Sequence, residues 1–333
     1  MIPEPQASRL ADALFVPVLT YYAAGSAGTV DPTRTFAHIR AIRPHVRQIM
    51  LAGSTGDGWE LTDPGFDALI DLASSPAMAE LDPVLVFGAL RPTTEAVIAR
   101  LAHLEARLSK DTELAARTSC AVVCPPVDAG ASQEAILTHY EAVFAASRLP
   151  IAVYQLPQVT GCRIEPETFR QLAASPRVTL FKDSSGEDVI ADSRLDFGQV
   201  ALVRGAEGGY LEALKPEGPY DGWLLSTGNV LGEPLRQLLA LKAESRNDEA
   251  MALSARLSQA IAAIFAKAQG EGGANAFSNA NRAMDHIAAH GATWRDAPLP
   301  LKVDGNVLSL GLVEAAAEIA GDLLPVDGPG YLG

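Results

Sequence analysis

Lys182 is the residue in this chain best placed to do covalent chemistry. It directly follows the apolar run Val178-Thr179-Leu180-Phe181 and precedes the turn-forming Asp183-Ser184-Ser185-Gly186. The chain holds only six lysines (110, 182, 215, 242, 267 and 302), and the other five lie in helix-like or loop-like surroundings. An ammonium at the end of a buried strand is costly without a partner. Two outcomes are open from this stretch alone. Either Lys182 reaches water or pairs with Asp183, or it is a desolvated amine of lowered pKa that can attack a carbonyl.

Three further groups also stand where an apolar run gives way to a turn. Tyr154 closes Ile151-Ala152-Val153; taken alone it is a core tyrosine whose hydroxyl finds water. Gly53-Ser54-Thr55-Gly56 sets two hydroxyls beside turn amides. Such a group either holds a carboxylate or is an ordinary strand-to-helix turn. No Gly-Lys-Ser/Thr follows it, so it is not a P-loop. The last group, Gly205 and Glu207 with Ser226 and Asn229, could line a pocket or be turn residues only.

The combination is more specific than its parts. A strand-end lysine, a tyrosine ending the preceding strand and a hydroxyl-rich anion site suit Schiff-base chemistry on a 2-keto acid. The carboxylate would dock on Ser54, Thr55 and nearby amides, with Gly53 forming the turn. The amine would attack C2, and the iminium would draw electrons from C3 so that a proton or carbon substituent can leave. A phenol within hydrogen-bond reach can move the protons. That makes Lys182, Tyr154 and Thr55 the catalytic candidates, and Gly53, Ser54, Thr55, Gly205, Glu207 and Ser226 the substrate-binding ones. The chemistry needs neither a metal nor an organic cofactor. The six histidines show no ligand spacing; His286 and His290, four apart on an expected helix, are read as surface residues.

These groups need a scaffold that gathers strand ends. Eight short apolar runs are expected as strands: 14–19, 48–52, 83–87, 119–124, 151–154, 178–181, 200–203 and 222–225. Helix-like segments stand between them. Asp31-Pro32 and Thr62-Asp63-Pro64 are helix starts, with the acceptor side chain capping and proline in the first turn. Further helices are expected at about 93–108, 132–147 and 165–174, and from about Glu187. Residues 109–117 are expected as an extended connection and 211–221 as a longer loop. Unalternating apolar strands point to a parallel sheet buried on both faces. Eight such units in about 230 residues fit a (β/α)8 barrel (a TIM barrel), with a doubly wound open sheet as the alternative. Residues 1–245 would be the barrel. Residues 246–333 would be a helical extension packed on its side, with helices at 246–268, 276–290 and 307–322.

Composition narrows the partners. Hydrophobic residues make up 48% of the chain, enough for a large core. A formal charge of −14, from 26 Lys and Arg against 40 Asp and Glu, argues against nucleic acid or an anionic membrane as the main partner. No apolar run approaches the length of a membrane span, and no leader pattern opens the chain. The three cysteines, at 120, 124 and 162, lie near expected strand ends; a strand explains Cys120 and Cys124 better than metal ligation, and reduced thiols in a cytoplasmic protein are the simplest account.

Three motifs resemble the dihydrodipicolinate synthase / N-acetylneuraminate lyase family of class I aldolases. Gly53-Ser54-Thr55-Gly56-Asp57 with Leu61-Thr62 resembles its G-[ST]-[ST]-G-E…L-T. Tyr154-Gln155-Leu156-Pro157-Gln158-Val159-Thr160-Gly161 resembles its Y-N-x-P-x-x-T-G. Lys182-Asp183-Ser184-Ser185-Gly186 resembles its K-[DE]-[ST]-[ST]-G. The likeness covers about residues 12–235. It implies a (β/α)8 barrel with C-terminal helices, assembled as a homotetramer or homodimer. It implies Lys182 as the Schiff-base lysine, Tyr154 as proton relay, Ser54 and Thr55 as the carboxylate site, and Gly205 and Glu207 toward the distal part of the substrate.

Five positions depart from the pattern. Val159 stands where the synthases carry an arginine for a second carboxylate. Pro126 and Val127 stand where a relay aromatic is usual. Asp57 replaces glutamate, and Gln155 replaces asparagine. These departures favour a lyase (aldolase or dehydratase) acting on a pyruvate-related or sugar-derived 2-keto-3-deoxy acid. The alternatives are dihydrodipicolinate synthase proper, a catalytically weak keto-acid-binding regulatory protein, or an unrelated barrel holding phosphate at 205–209.

Overall fold

A computed structural model of the chain describes residues 12–25 and 27–333. Eight strands run in chain order: β1 (Leu14–Pro17), β2 (Gln48–Leu51), β3 (Val84–Gly88), β4 (Thr118–Val123), β5 (Ile151–Gln155), β6 (Val178–Asp183), β7 (Ala201–Arg204) and β8 (Gly222–Leu224). Each pairs in parallel with the next. β8 closes on β1 through Trp223 beside Leu14 and Leu224 beside Phe15, so the sheet is a closed barrel. It has no free edge, and the open-sheet alternative is excluded.

The strands alternate after all, although both faces are apolar. Phe15, Met50, Val86, Cys120, Val122, Ala152, Leu180, Val203 and Leu224 form one buried cluster that fills the barrel. Their sequence neighbours, such as Ile49, Leu51, Val153 and Phe181, belong to a second cluster between barrel and helices. The side-chain period of two was hidden because each face is buried against something apolar.

The connecting helices start as their caps dictate. Asp31 accepts from the Arg34 amide ahead of helix Pro32–Ile42, and Thr62 from the Gly65 amide ahead of Asp63–Ser74. Thr93 and Ser132 cap Thr94–Leu108 and Gln133–Ala146 in the same way. Two expectations change. The segment 109–117 is not extended: Asp111 caps a short helix, Thr112–Arg117, that buries Leu114 and Ala115. It is too short to show a periodic signal. The helix expected from Glu187 is one turn, Val189–Asp192.

Beyond β8, helix Gly228–Ala243 leads into the tail helices Asn247–Ala268, Ala276–His290 and Leu310–Ala320. Leu257, Ile261, Ala283, Ile287 and Val313 from the tail share the outer cluster with the barrel strands. His286 is not a surface residue: its ring is buried and bonded at 2.7 Å to the carbonyl of Trp294. No helix among the described residues is long and apolar enough to cross a membrane.

Candidate active site

Alternation along β5 and β6 decides where the key side chains point. Ala152 and Leu180 face the barrel interior, so Tyr154 and Lys182, two residues further on, do the same at the C-terminal end. The strands pair in register there, Tyr154 beside Lys182. The Lys182 Nζ lies 4.1 Å from the centre of the Tyr154 ring. Lys182 is only 3% exposed. Among the described residues it forms no ion pair, and Asp183 points elsewhere. Asp183 takes the Ser185 amide at 2.8 Å and the Tyr220 hydroxyl at 3.3 Å. Of the two outcomes open for Lys182, the structure holds the desolvated one. Burial lowers its amine to about 7, against the opposing pull of Cys124 and Glu207.

Burial pushes the Tyr154 phenol up, while Ser184 and Ser54 hydroxyls near it act in the other direction. The ring therefore carries its proton at neutral pH. Ser54 also accepts from the indole N–H of Trp59 at 3.0 Å. It opens the single helical turn Ser54–Gly56, in which Thr55 is buried. Gly53 closes this loop: its carbonyl accepts from the amides of Gly56 at 3.0 Å and Gly58 at 2.8 Å. The leading amides of such a turn have no acceptor within it. Ser54, Thr55, Tyr154 and Lys182 thus meet at one end of the barrel.

Gly205 flanks the lysine. A Cβ there would sit 2.9 Å from the Lys182 Cε and collide with the Ser184 Oγ, so only glycine leaves the stem its room. Its amide donates to the Asp183 carbonyl at 2.6 Å. Glu207 is differently disposed. Its Oε1 accepts from the Ser226 hydroxyl and the Thr227 amide, each at 3.1 Å. Its Oε2 accepts from the Thr227 hydroxyl at 2.7 Å and the Tyr210 hydroxyl at 3.1 Å. Both oxygens, and the Ser226 hydroxyl with them, are already engaged within the protein. Asn229 braces the same corner, accepting from the Leu19 amide and donating to the carbonyls of Pro17 and Ser226.

Several residues around the site were not singled out from sequence. Ser184 stood inside the lysine motif but had no assigned role. Trp59 and Cys124 gave no motif signal; both belong with the barrel-filling side chains. The tail contributes too. Ser278 donates to the Thr55 carbonyl at 2.9 Å, Asn275 to the Ser54 carbonyl at 2.7 Å, and Arg282 to the Asp57 carboxylate. Ser278, Asn279, Asn281, Arg282 and Asp285 form one polar stripe on helix Ala276–His290, and all five are buried; in sequence such a stripe reads as a solvent-facing side. The three cysteines are buried and free. No cluster of three or more histidine, cysteine or acidic side chains among the described residues could hold a metal.

Comparison with known proteins identifies the family and the fold. A profile of the dihydrodipicolinate synthetase family matches residues 105–279. A 4-hydroxy-tetrahydrodipicolinate synthase of Stenotrophomonas maltophilia is 28% identical over 236 residues, covering 69% of this chain and 74% of the relative. Among solved structures, YagE, an E. coli prophage protein of the dihydrodipicolinic acid synthase family in complex with pyruvate, superposes with a TM-score of 0.75. It is 16% identical, over 94% of this chain and 99% of that one. KD(P)GA from T. tenax does so with a TM-score of 0.74 at 16% identity, over 94% and 99%. The structural likenesses establish the shared fold. The profile match runs past the barrel into the start of helix Ala276–His290. The chain belongs to the dihydrodipicolinate synthetase family and is an enzyme of this family of lyases.

Proposed function

We propose that this enzyme is an aldolase or dehydratase that forms a Schiff base between Lys182 and a 2-keto acid, either pyruvate-related or a sugar-derived 2-keto-3-deoxy acid. The observation that carries this reading is the Lys182 amine: buried, free of any ion pair among the described residues, lowered to about 7 and lying over the Tyr154 ring. An amine in that state is available as a nucleophile at neutral pH.

The steps follow from the residues present. The substrate carboxylate docks on the Ser54-Thr55 turn, which fixes C2 before the amine. The Lys182 nitrogen adds to C2 and one of its protons passes to the former carbonyl oxygen, giving a carbinolamine. Tyr154 donates the second proton to that oxygen, water leaves, and a cationic iminium remains. Electrons from the bond at C3 then flow toward nitrogen. In an aldolase the C3–C4 bond breaks as the C4 hydroxyl gives up its proton and leaves as an aldehyde. In a dehydratase a C3 proton is lost and hydroxide departs from the neighbouring carbon, taking a proton as water. On the aldolase route the enamine takes up a proton at C3; on either route water then adds to C2 of the iminium, and the C2–N bond breaks to release the product and return the amine. Ser184 and Ser54, beside the phenol, support its role as the relay.

The substrate class rests on two exposed valines. Val127, in the loop beyond β4, and Val159, in the helical turn Pro157–Thr160 beyond β5, are 43% and 42% exposed. They offer no cation to a second carboxylate and no relay hydroxyl. That favours a single-carboxylate keto acid over the substrates of dihydrodipicolinate synthase proper. The same reading takes residues 1–245 as the catalytic barrel and 246–333 as its helical extension, in a cytoplasmic homotetramer or homodimer. A panel of 2-keto-3-deoxy acids and 2-keto acid plus aldehyde pairs, assayed for pyruvate released or consumed, tests it. Turnover on at least one member that Lys182→Ala abolishes is expected; turnover that survives this substitution would overturn the lysine's role.

A further inference from the structure

The loop that carries Ser54 and Thr55 is held from outside the barrel. Ser278 on helix Ala276–His290 donates to the carbonyls of Thr55, at 2.9 Å, and Ser54, at 3.2 Å. Asn275, which caps that helix, donates to the Ser54 carbonyl at 2.7 Å. A trans peptide points its N–H opposite its C=O. Holding the Ser54 carbonyl to the tail therefore directs the Thr55 amide away from it. Two residues beyond Thr55, the Asp57 carboxylate takes the Arg282 guanidinium and, at 2.7 Å, the Tyr22 hydroxyl. Arg282 also donates to the Thr20 carbonyl at 3.1 Å, and the Thr20 hydroxyl to the Gly56 carbonyl at 2.8 Å.

Two features argue that this clamp sets geometry rather than adding stability alone. The loop is bounded by left-handed backbone at residues that are not glycine, Ala52 at φ 53° and Asp57 at φ 56°. Such conformations persist when surroundings over-determine them. The ion pair is also incompletely used. Asp57 and Arg282 are fully buried, yet among the described residues the Asp57 Oδ1 and the Arg282 Nε and Nη1 have no hydrogen-bond partner. A buried pair with open valences is a poor source of net stability, because desolvation offsets much of its attraction.

We propose that Ser278 and Arg282 are positioning residues for the keto-acid carboxylate: the tail helix fixes the orientation of the Ser54-Thr55 turn, Ser278 directly through its carbonyls and Arg282 through Asp57. This rests on the Schiff-base reading of the site. It also gives the aspartate at position 57 a role, as the acid whose carboxylate receives an arginine from the tail.

The test uses the full chain, wild type, Ser278→Ala and the paired neutral variant Asp57→Asn/Arg282→Met. Three quantities are measured: the pyruvate concentration for half-maximal borohydride adduct at Lys182, the adduct rate at saturating pyruvate, and pyruvate affinity by calorimetry. Alanine suits a helix interior, so Ser278→Ala keeps the test alive should the double variant not fold. Loss of the Ser278 hydrogen bonds should raise half-saturation about 5- to 10-fold. The saturating rate should stay within about twofold, since the amine is untouched. Half-saturation unchanged in Ser278→Ala, or a fall in saturating rate alone, would overturn the positioning role and leave the Schiff base standing. If wild type binds pyruvate but gives no adduct, the Schiff-base reading fails and the calorimetric affinity of Ser278→Ala decides the positioning role. If wild type neither reacts nor binds, both fall.

Discussion

Lys182 and Tyr154 are cross-strand neighbours in register, and the lysine nitrogen lies 4.1 Å from the centre of the tyrosine ring. The pairing puts a buried amine against a π face rather than a carboxylate. Such a face can accommodate the cation when it forms without neutralising it.

The pH dependence follows from this environment. Burial lowers the Lys182 amine to about 7, so its reactive free form grows as pH rises through that value. The kcat/KM for the keto acid should fall about tenfold per pH unit well below 7 and level off above it. A pH–rate profile from 5 to 9 checks this; a flat profile through 7 would contradict it.

The same lysine is a burden on the fold. Its pKa is lower in the folded chain than in the unfolded chain, so between about 7 and 10.4 the unfolded state binds the extra proton, and stability rises with pH across that window. Below 7 the full cost applies, on the order of 4 to 5 kcal/mol. Lys182→Met should therefore abolish turnover yet raise the denaturation midpoint at pH 6. Equal or lower stability of that variant would count against a desolvated amine.

Tyr154→Phe keeps the ring over Lys182 and removes only the hydroxyl that Ser184 and Ser54 flank. Turnover should drop about 100-fold or more, as for loss of a general acid–base group. A buried Lys182 adduct should still form, more slowly. Steady-state kinetics alongside adduct mass separate the two effects.

Gly205→Ala places a methyl 2.9 Å from the Lys182 Cε and against the Ser184 Oγ. Overpacking of this kind costs about 1 to 3 kcal/mol. Because the displaced Cε carries the reactive amine, kcat should fall by more than the change in melting temperature suggests.

Asp285 anchors a second buried network, in which Arg34 at 2.6 Å, His38 at 2.8 Å, Tyr331 at 2.8 Å and Tyr21 all meet its carboxylate. Burial alone would raise its pKa, but His38 and Arg34 hold it below the usual carboxylate range. Its contribution to stability is present above the unfolded value near 3.9 and is lost as pH falls below it. Asp285→Asn should lower stability by about 3 to 5 kcal/mol at pH 7. The difference from wild type should shrink in acid, as chemical denaturation at pH 7 and pH 3 would reveal.

The barrel was legible because each strand is a short apolar run that ends in a turn, and the helix caps at Asp31, Thr62, Thr93 and Ser132 are strong local signals. Lys182, Tyr154 and Ser54-Thr55 were legible because a strand-end position is also a place at the barrel mouth. The short helix Thr112–Arg117 was not, since one and a half turns carry no period. Nor was the polar brace from Ser278 and Arg282. Its contacts join residues more than 200 positions apart, and the partner of a buried charge cannot be read from the charge. For Glu207, sequence marked the place but not that Ser226, Thr227 and Tyr210 already occupy its oxygens.

The most direct measurement is borohydride trapping with pyruvate followed by peptide mass analysis. The expected result is a reduced adduct on Lys182 alone, abolished in Lys182→Ala and accompanied by loss of activity. Absence of any adduct, under conditions in which a known class I aldolase is labelled, would contradict the Schiff-base mechanism, and so would an adduct on another lysine.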